Sequence, residues 1–214
     1  MPSRDRILQR LRSHRAANGS PPSATLPLPL PTPAPVADKI SAFIAALEAS
    51  HADVLRTTDS TWQQDLLNHI ACHPIQTLMV AEHGPFHALL SSPPPNLNLV
   101  PYGTALEDIK DALFHEIDAG LSYAQAGIAE TGTLLLKMGK HEPRALSLVP
   151  PTHYVQVAAS TLYGTLPEAF ADPALQPLPN NMVLISGPSK TADIQQTLAY
   201  GAHGPKQLVV LLVE

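Results

Sequence analysis

From Val36 to Glu214 the chain alternates short apolar runs with stretches whose apolar residues recur at helical spacing, and this alternation constrains the fold most. Asp38–Ala49 places Ile40, Phe43, Ile44 and Leu47 at i, i+3, i+4 and i+7, which predicts a helix with one apolar face. Ser60-Thr-Trp-Gln63 has the form of a capping box, opening a second helix to about Ala71, and Leu106–Phe114 predicts a third. Asp53–Arg56, Thr77–Val80 and Leu97–Val100 read as strands between them. Alternating strands and helices indicate an α/β/α layered domain around a mainly parallel sheet.

The alternation breaks in the middle. Leu121–Ala126 and Thr133–Lys137 read as a strand pair around Gly127–Gly132, followed by strands at Ala145–Val149 and Tyr154–Ala158. Strands without intervening helices suggest an antiparallel excursion or flap. A short helix at Leu166–Ala171 comes next. A βαβ unit then closes the chain: strand Met182–Ser186, a Gly187-Pro188 turn, a helical stretch, and strand Leu208–Val213.

Upstream of Val36 the chain cannot build a core. Seven of its 23 prolines fall between Pro21 and Pro35, and residues 16–35 carry no charge, a composition that reads as an extended polyproline-type linker. Ser3 can cap a preceding helix over residues 4–15, with Ile7, Leu8 and Leu11 on one face. The expected organisation is an N-terminal amphipathic helix (1–15), a Pro-rich linker (16–35) and an α/β domain (36–214). That first helix holds five arginines against one acid, Asp5, whereas the rest has eight basic and seventeen acidic residues. A basic head could dock on an acidic partner or a membrane surface, or be simply a solvated face.

Other classes are excluded by composition. A net charge of −5 argues against a nucleic-acid binder. No apolar run approaches the roughly 20 residues a membrane-spanning helix needs, and prolines interrupt Leu26–Leu30 where a secretory h-region would lie. A soluble cytoplasmic protein is expected. The single cysteine, Cys72, rules out an internal disulfide and an iron–sulfur cluster held by this chain alone.

Polar chemistry gathers in three turns. In Ala129-Glu-Thr-Gly-Thr133 one acid lies in an otherwise apolar stretch. Burial there would raise the Glu130 carboxyl pKa and suit it to acid–base work, although Glu130 would serve equally as a turn cap or lysine partner. In Ile185-Ser-Gly-Pro-Ser-Lys-Thr-Ala-Asp-Ile194, residues Gly187, Ser189, Lys190, Thr191 and Asp193 crowd an expected helix start. Unpaired N–H groups and the dipole there would hold an anion, and capping accounts for the same residues. His203, in Gly201-Ala-His-Gly-Pro205, could be a proton donor, a metal ligand or a turn residue. His69 and His73, with Cys72 beside them, have zinc-like spacing, but no second ligand pair stands nearby, so no metal site is expected. Nicotinamide and ATP motifs are absent.

Ala126–Leu136, Leu148-Val-Pro-Pro-Thr-His153 and Ile185–Ile194 with His203-Gly-Pro205 together resemble the LUD-domain family, and within it the lactate utilization protein C group. The resemblance covers about residues 36–214, and Ser3-Arg-Asp-Arg-Ile-Leu8 is similar to that group's N-terminus. The long Pro-rich linker departs from the pattern. The resemblance implies a fold of the isomerase/CoA-transferase (NagB/RpiA) type. It also implies a role in oxidising L-lactate to pyruvate beside separate iron–sulfur subunits, with no cofactor held by this chain. On that reading Glu130 and His203 carry acid–base work, and Thr131, Gly132, Thr133, Gly187, Ser189, Lys190, Thr191 and Asp193 surround a small anion. The alternatives are a free-standing enzyme acting on a phosphosugar or acyl-CoA, and a scaffold without catalysis.

Overall fold

The computed structural model describes residues 3–18, 38–103, 105–192, 198–201 and 203–214. The chain divides into two units, Met1–Ala34 and Pro35–Glu214. The first contributes α1 (Ser3–Asn18), on which Ile7 and Leu11 are exposed. This helix runs three residues into the expected linker; the rest of that linker, 19–35, and residues 36–37 lie outside the described residues.

The second unit is built on a six-stranded sheet of β1 (Asp53–Thr57), β2 (Thr77–Ala81), β3 (Asn98–Tyr102), β4 (Ala119–Tyr123), β7 (Thr152–Ala158) and β12 (Gln207–Val213). Their order is β1-β12-β7-β4-β2-β3, and every pairing is parallel. The helices are α2 (Lys39–Ala49), α3 (Trp62–Ala71), α4 (His87–Ser91), α5 (Leu106–His115), α6 (Arg144–Leu148) and α7 (Leu166–Ala171). A second sheet, ordered β8-β5-β6-β9, comprises β5 (Ala126–Ile128), β6 (Thr133–Lys137), β8 (Leu162–Tyr163) and β9 (Met182–Ile185).

Side-chain alternation along the strands divides the core. On one face Val155, Val157, Leu208, Val210 and Leu212 pack with Phe43 and Leu47 of α2 and with Leu134 and Leu136 of β6. On the other, Tyr154, Val209 and Leu211 meet Leu66 and Ile70 of α3. Met79 and Ala81 instead face Leu113 of α5 and Leu146 of α6. Strand β12 is covered on both sides, which is why its sequence is continuously apolar. Helix α2 starts where Asp38 accepts hydrogen bonds from the Ser41 N–H (3.0 Å) and hydroxyl (2.6 Å).

Four local expectations are corrected. The capping box does not form. Thr61 occupies the N-cap of α3 and its hydroxyl oxygen accepts instead from the Thr58 N–H at 3.2 Å. Ala145–Val149 is the helix α6, a single turn squeezed between Pro143 and Pro150-Pro151 with Leu146 fully buried. Leu121–Ala126 is two strands in two sheets. The Ala124 N–H donates to Gln156 O in the parallel sheet and the next, Gln125 N–H, to Leu135 O in the small one. The partner of β6 is therefore β5, antiparallel, and the expected excursion is the small sheet. Finally, the described residues form no C-terminal βαβ unit. Strand β9 pairs antiparallel with β6, and an antiparallel hairpin of β10 (Lys190–Ala192) and β11 (Leu198–Tyr200) stands where a helix was expected. Residues 193–197 between them lie outside the described residues.

Candidate functional site

With strands at Lys190–Ala192, the turn after β9 offers no helix N-terminus to an anion, so that part of the expectation falls. What the turn does instead is join two motifs. The Ser189 N–H donates to Pro205 O (2.9 Å) and the Gly201 N–H donates to Ser189 O (2.8 Å). A third motif joins from the Pro150-Pro151 turn, whose Pro151 carbonyl accepts from the Lys206 N–H at 2.7 Å. Gly204 packs against Ser189: a Cβ on it would lie 3.1 Å from the serine Cβ.

These contacts enclose a cavity of about 220 Å³. Its polar lining comes from Ser147, His153, Ser186, Ser189 and His203, and its apolar wall includes Leu148, Ile185 and Leu208. His153 stands one residue into β7, opposite Leu208 of β12, and is 1% exposed. Its Nε2 has no hydrogen-bond partner among the described residues. Burial lowers the imidazole pKa to about 3, so the ring is neutral at physiological pH. A neutral imidazole in an apolar wall can donate or accept one hydrogen bond to a ligand without placing a charge there.

The first motif reaches the cavity through hydroxyls. Thr131 Oγ1 lies 2.6 Å from Thr133 Oγ1, which lies 2.7 Å from Ser186 Oγ at the cavity edge. Gly132 makes this turn possible: its φ is +59°, and a Cβ would come within 2.7 Å of Leu47 N at the end of α2.

Of the expected site residues, Gly187, Ser189 and His203 line the cavity, with His203 exposed at its edge. Thr131 and Thr133 lie one or two hydroxyls away, and Gly132 shapes their turn. Glu130 is exposed and does not line the cavity, so it lacks the buried position that the sequence suggested. Lys190 and Thr191 leave along β10, and Asp193 falls outside the described residues. Sequence reasoning missed His153, Ser147 and Ser186. His153 closes the quoted Leu148–His153 motif, which was the available signal.

Among the described residues no three His, Cys, Asp or Glu side chains converge as a metal site. The His69–His73 pair is used structurally. His73 Nδ1 donates to the His69 carbonyl at 2.7 Å, the rings stack at 4.2 Å, and His69 Nδ1 meets the Tyr154 hydroxyl at 2.9 Å. Burial, and then His73, hold the His69 pKa low.

The family model of the LUD domain matches residues 40–213, a span that contains all three motifs and the whole cavity lining. This chain belongs to the LUD-domain family. An uncharacterized protein of Neisseria meningitidis serogroup B is 39% identical over 183 residues, covering 82% of this LUD chain and 77% of the relative. Lactate utilization protein C 1 of Bacillus mycoides is 28% identical over 178 residues, covering 78% and 75%. Lactate utilization protein C of Halalkalibacterium halodurans is 33% identical over 104 residues; that match covers 46% of this chain and less than half, 45%, of the relative. A crystal structure of a DUF162 family protein from Deinococcus radiodurans shares the fold, with a TM-score of 0.63 at 21% identity over 85% of this chain and all of that one. Among the described residues no helix is long and apolar enough to cross a membrane.

Proposed function

We propose that this LUD-domain chain is the non-cluster subunit of a system oxidising L-lactate to pyruvate, acting with partner subunits that hold iron–sulfur clusters. We propose also that its cavity holds the short-chain hydroxy or oxo acid. The relatives named lactate utilization protein C support the pathway. The single cysteine supports redox centres on other chains, because it cannot by itself hold an iron–sulfur cluster to take the two electrons leaving lactate. The observation that carries the ligand site is His153, a buried neutral imidazole that lines a cavity of about 220 Å³ and whose Nε2 has no hydrogen-bond partner among the described residues. An unpaired buried polar atom costs about 1–3 kcal/mol, a cost removed when a ligand hydroxyl or carboxyl group bonds to it.

In this reading Ser186 and Ser189 orient the acid's oxygens, the apolar wall takes its methyl group, and His203 exchanges protons with solvent. Glu130 stands outside the cavity and acts, if at all, on a partner or a ligand reaching past the Thr131–Thr133 turn. The cavity is smaller than the roughly 300–1,000 Å³ typical of drug-sized ligands, which disfavours an acyl-CoA and leaves the free-standing transferase reading without support. The test is calorimetry with L-lactate and pyruvate, together with lactate-dependent growth of a deletion strain carrying His153→Ala or Ser189→Ala. Expected are binding by the wild type, at least a tenfold loss in either variant, and impaired growth. Unchanged growth and binding in both variants would remove the cavity from the function.

A further inference from the structure

The chain passes from β2 outward to β3 and then returns across β2 to β4, so the strand order reverses between β2 and β4. In open α/β sheets such a reversal leaves a crevice outside the carboxyl ends of the strands. A second cavity of about 190 Å³ lies beside that crevice, at the carboxyl ends of β2 and β3, lined by His83, Tyr102, Gly103, Gly139, Lys140 and Pro143. One wall is the segment 139–143. It closes on itself, the Gly139 N–H donating to Glu142 O (3.0 Å) and the Glu142 N–H to Gly139 O (3.2 Å). It is tied to the loop after β2 by His141 Nδ1, which donates to His83 O at 2.8 Å.

The segment is anchored by a buried acid. Glu142 is 5% exposed, and its Oε2 accepts the Tyr123 N–H from the end of β4 at 3.2 Å. Among the described residues its Oε1 has no hydrogen-bond partner. Neither has the hydroxyl of Ser122, the preceding residue of β4, which is 0% exposed. The two buried oxygens belong to neighbouring groups that can share a hydrogen in either direction, so what distinguishes the protonation states is the burial of the charge. As a carboxylic acid Glu142 can donate its O–H to Ser122 Oγ and still accept from Tyr123; as a carboxylate it is a buried anion with only the Ser122 hydroxyl and the Tyr123 N–H as neutral donors and no positive partner.

The surrounding titratable and charged groups do not supply a counter-charge. They are Tyr123 on β4, Lys137 on β6, Lys140 and His141 on the segment, Arg144 on α6, and Glu82 and His83 after β2. Among the described residues no ion pair involves Glu142.

We propose that Glu142 and Ser122 form a proton-binding latch that holds the 139–143 segment closed as the wall of this cavity, and that loss of the Glu142 proton releases it. Burial raises the Glu142 pKa to about 7, with Ser122 and the Tyr123 N–H pulling weakly the other way, so the latch changes state within the physiological range. This device is independent of the lactate reading and of the His153 cavity.

The sign follows from linkage. The closed segment holds its proton up to about pH 7, whereas an opened, solvated Glu142 loses it near the ordinary 4.5. Opening therefore becomes more favourable by up to about tenfold per pH unit between those values and levels off above the upper one. Hydrogen exchange of the Gly139 and Glu142 amides, corrected for intrinsic rates, reads this equilibrium across that range. Glu142→Gln should flatten the profile and stay closed, because its amide donates to Ser122 and its carbonyl accepts from Tyr123. Ser122→Ala should reduce protection at acidic pH by leaving the acid proton unpartnered. A flat wild-type profile, or a Glu142→Gln profile rising as steeply as the wild type, overturns the latch.

Discussion

His153 shows what a single residue contributes beyond its type. A histidine on a parallel strand is ordinarily a core residue or a surface one, and nothing in Pro-Thr-His-Tyr distinguishes the two. The register decides it: His153 lies opposite Leu208 on one side and Gly120 on the other, in the interior of the sheet. Its folded-state pKa, about 3, is depressed below the ordinary 6.5, so the unfolded chain binds the extra proton. Stability attached to this group is complete above about pH 6.5 and is lost as pH falls toward about 3, by on the order of a few kcal/mol. Urea unfolding near neutral pH and in mild acid should show a smaller acid loss in His153→Asn than in the wild type. An equal loss would mean that the imidazole is already charged in the fold. His203 and Ser189 were legible from the sequence because they sit among glycines and prolines in turns. His153 was not, since burial depends on which strands flank β7.

At the scale of elements, helices with a sustained apolar period were readable, and of the short helices α7 lies where it was expected whereas α6 was read as a strand. Helix α2 carries its apolar period over eleven residues and appears where the spacing put it. Helix α6 has five, too few to tell Leu-Ser-Leu alternation from a helical turn. The split of Leu121–Ala126 left no trace in composition, because the chain changes sheets between Ala124 and Gln125 with no turn residue. The small sheet matters for the cavity because it supplies β9 as one wall and positions Ser186. Its tie to α2 runs through Gly132, whose φ of +59° and 2.7 Å approach to Leu47 N leave no room for a side chain. Gly132→Ala should cost at least about 2 kcal/mol from left-handed strain and the clash together. It should also displace the Thr131–Thr133–Ser186 hydroxyls, weakening ligand binding. Chemical denaturation checks the first effect; a variant within about 0.5 kcal/mol of wild type would show that the turn relaxes without cost.

On the scale of the whole molecule, the sheet explains why one chain can carry two separate polar sites. The first cavity opens at the amino ends of β7 and β12, against the small sheet. The second lies at the carboxyl ends of β2 and β3, where α/β folds usually place ligands. Every member of the four buried clusters lies at Ile40 or later, and the LUD match begins at the same residue. Deleting residues 1–35 should therefore leave the denaturation midpoint of the remaining domain unchanged, since no core contact among the described residues is removed. The deleted part holds five of the thirteen basic residues, on a helix that exposes Ile7 and Leu11. If that helix recruits the cluster-bearing subunits, the truncated chain keeps its ligand affinity but no longer co-purifies with them, and lactate oxidation by the assembled system falls. Retained assembly would place the docking surface on the α/β domain instead. A lowered midpoint would show that the N-terminal segment packs on the core.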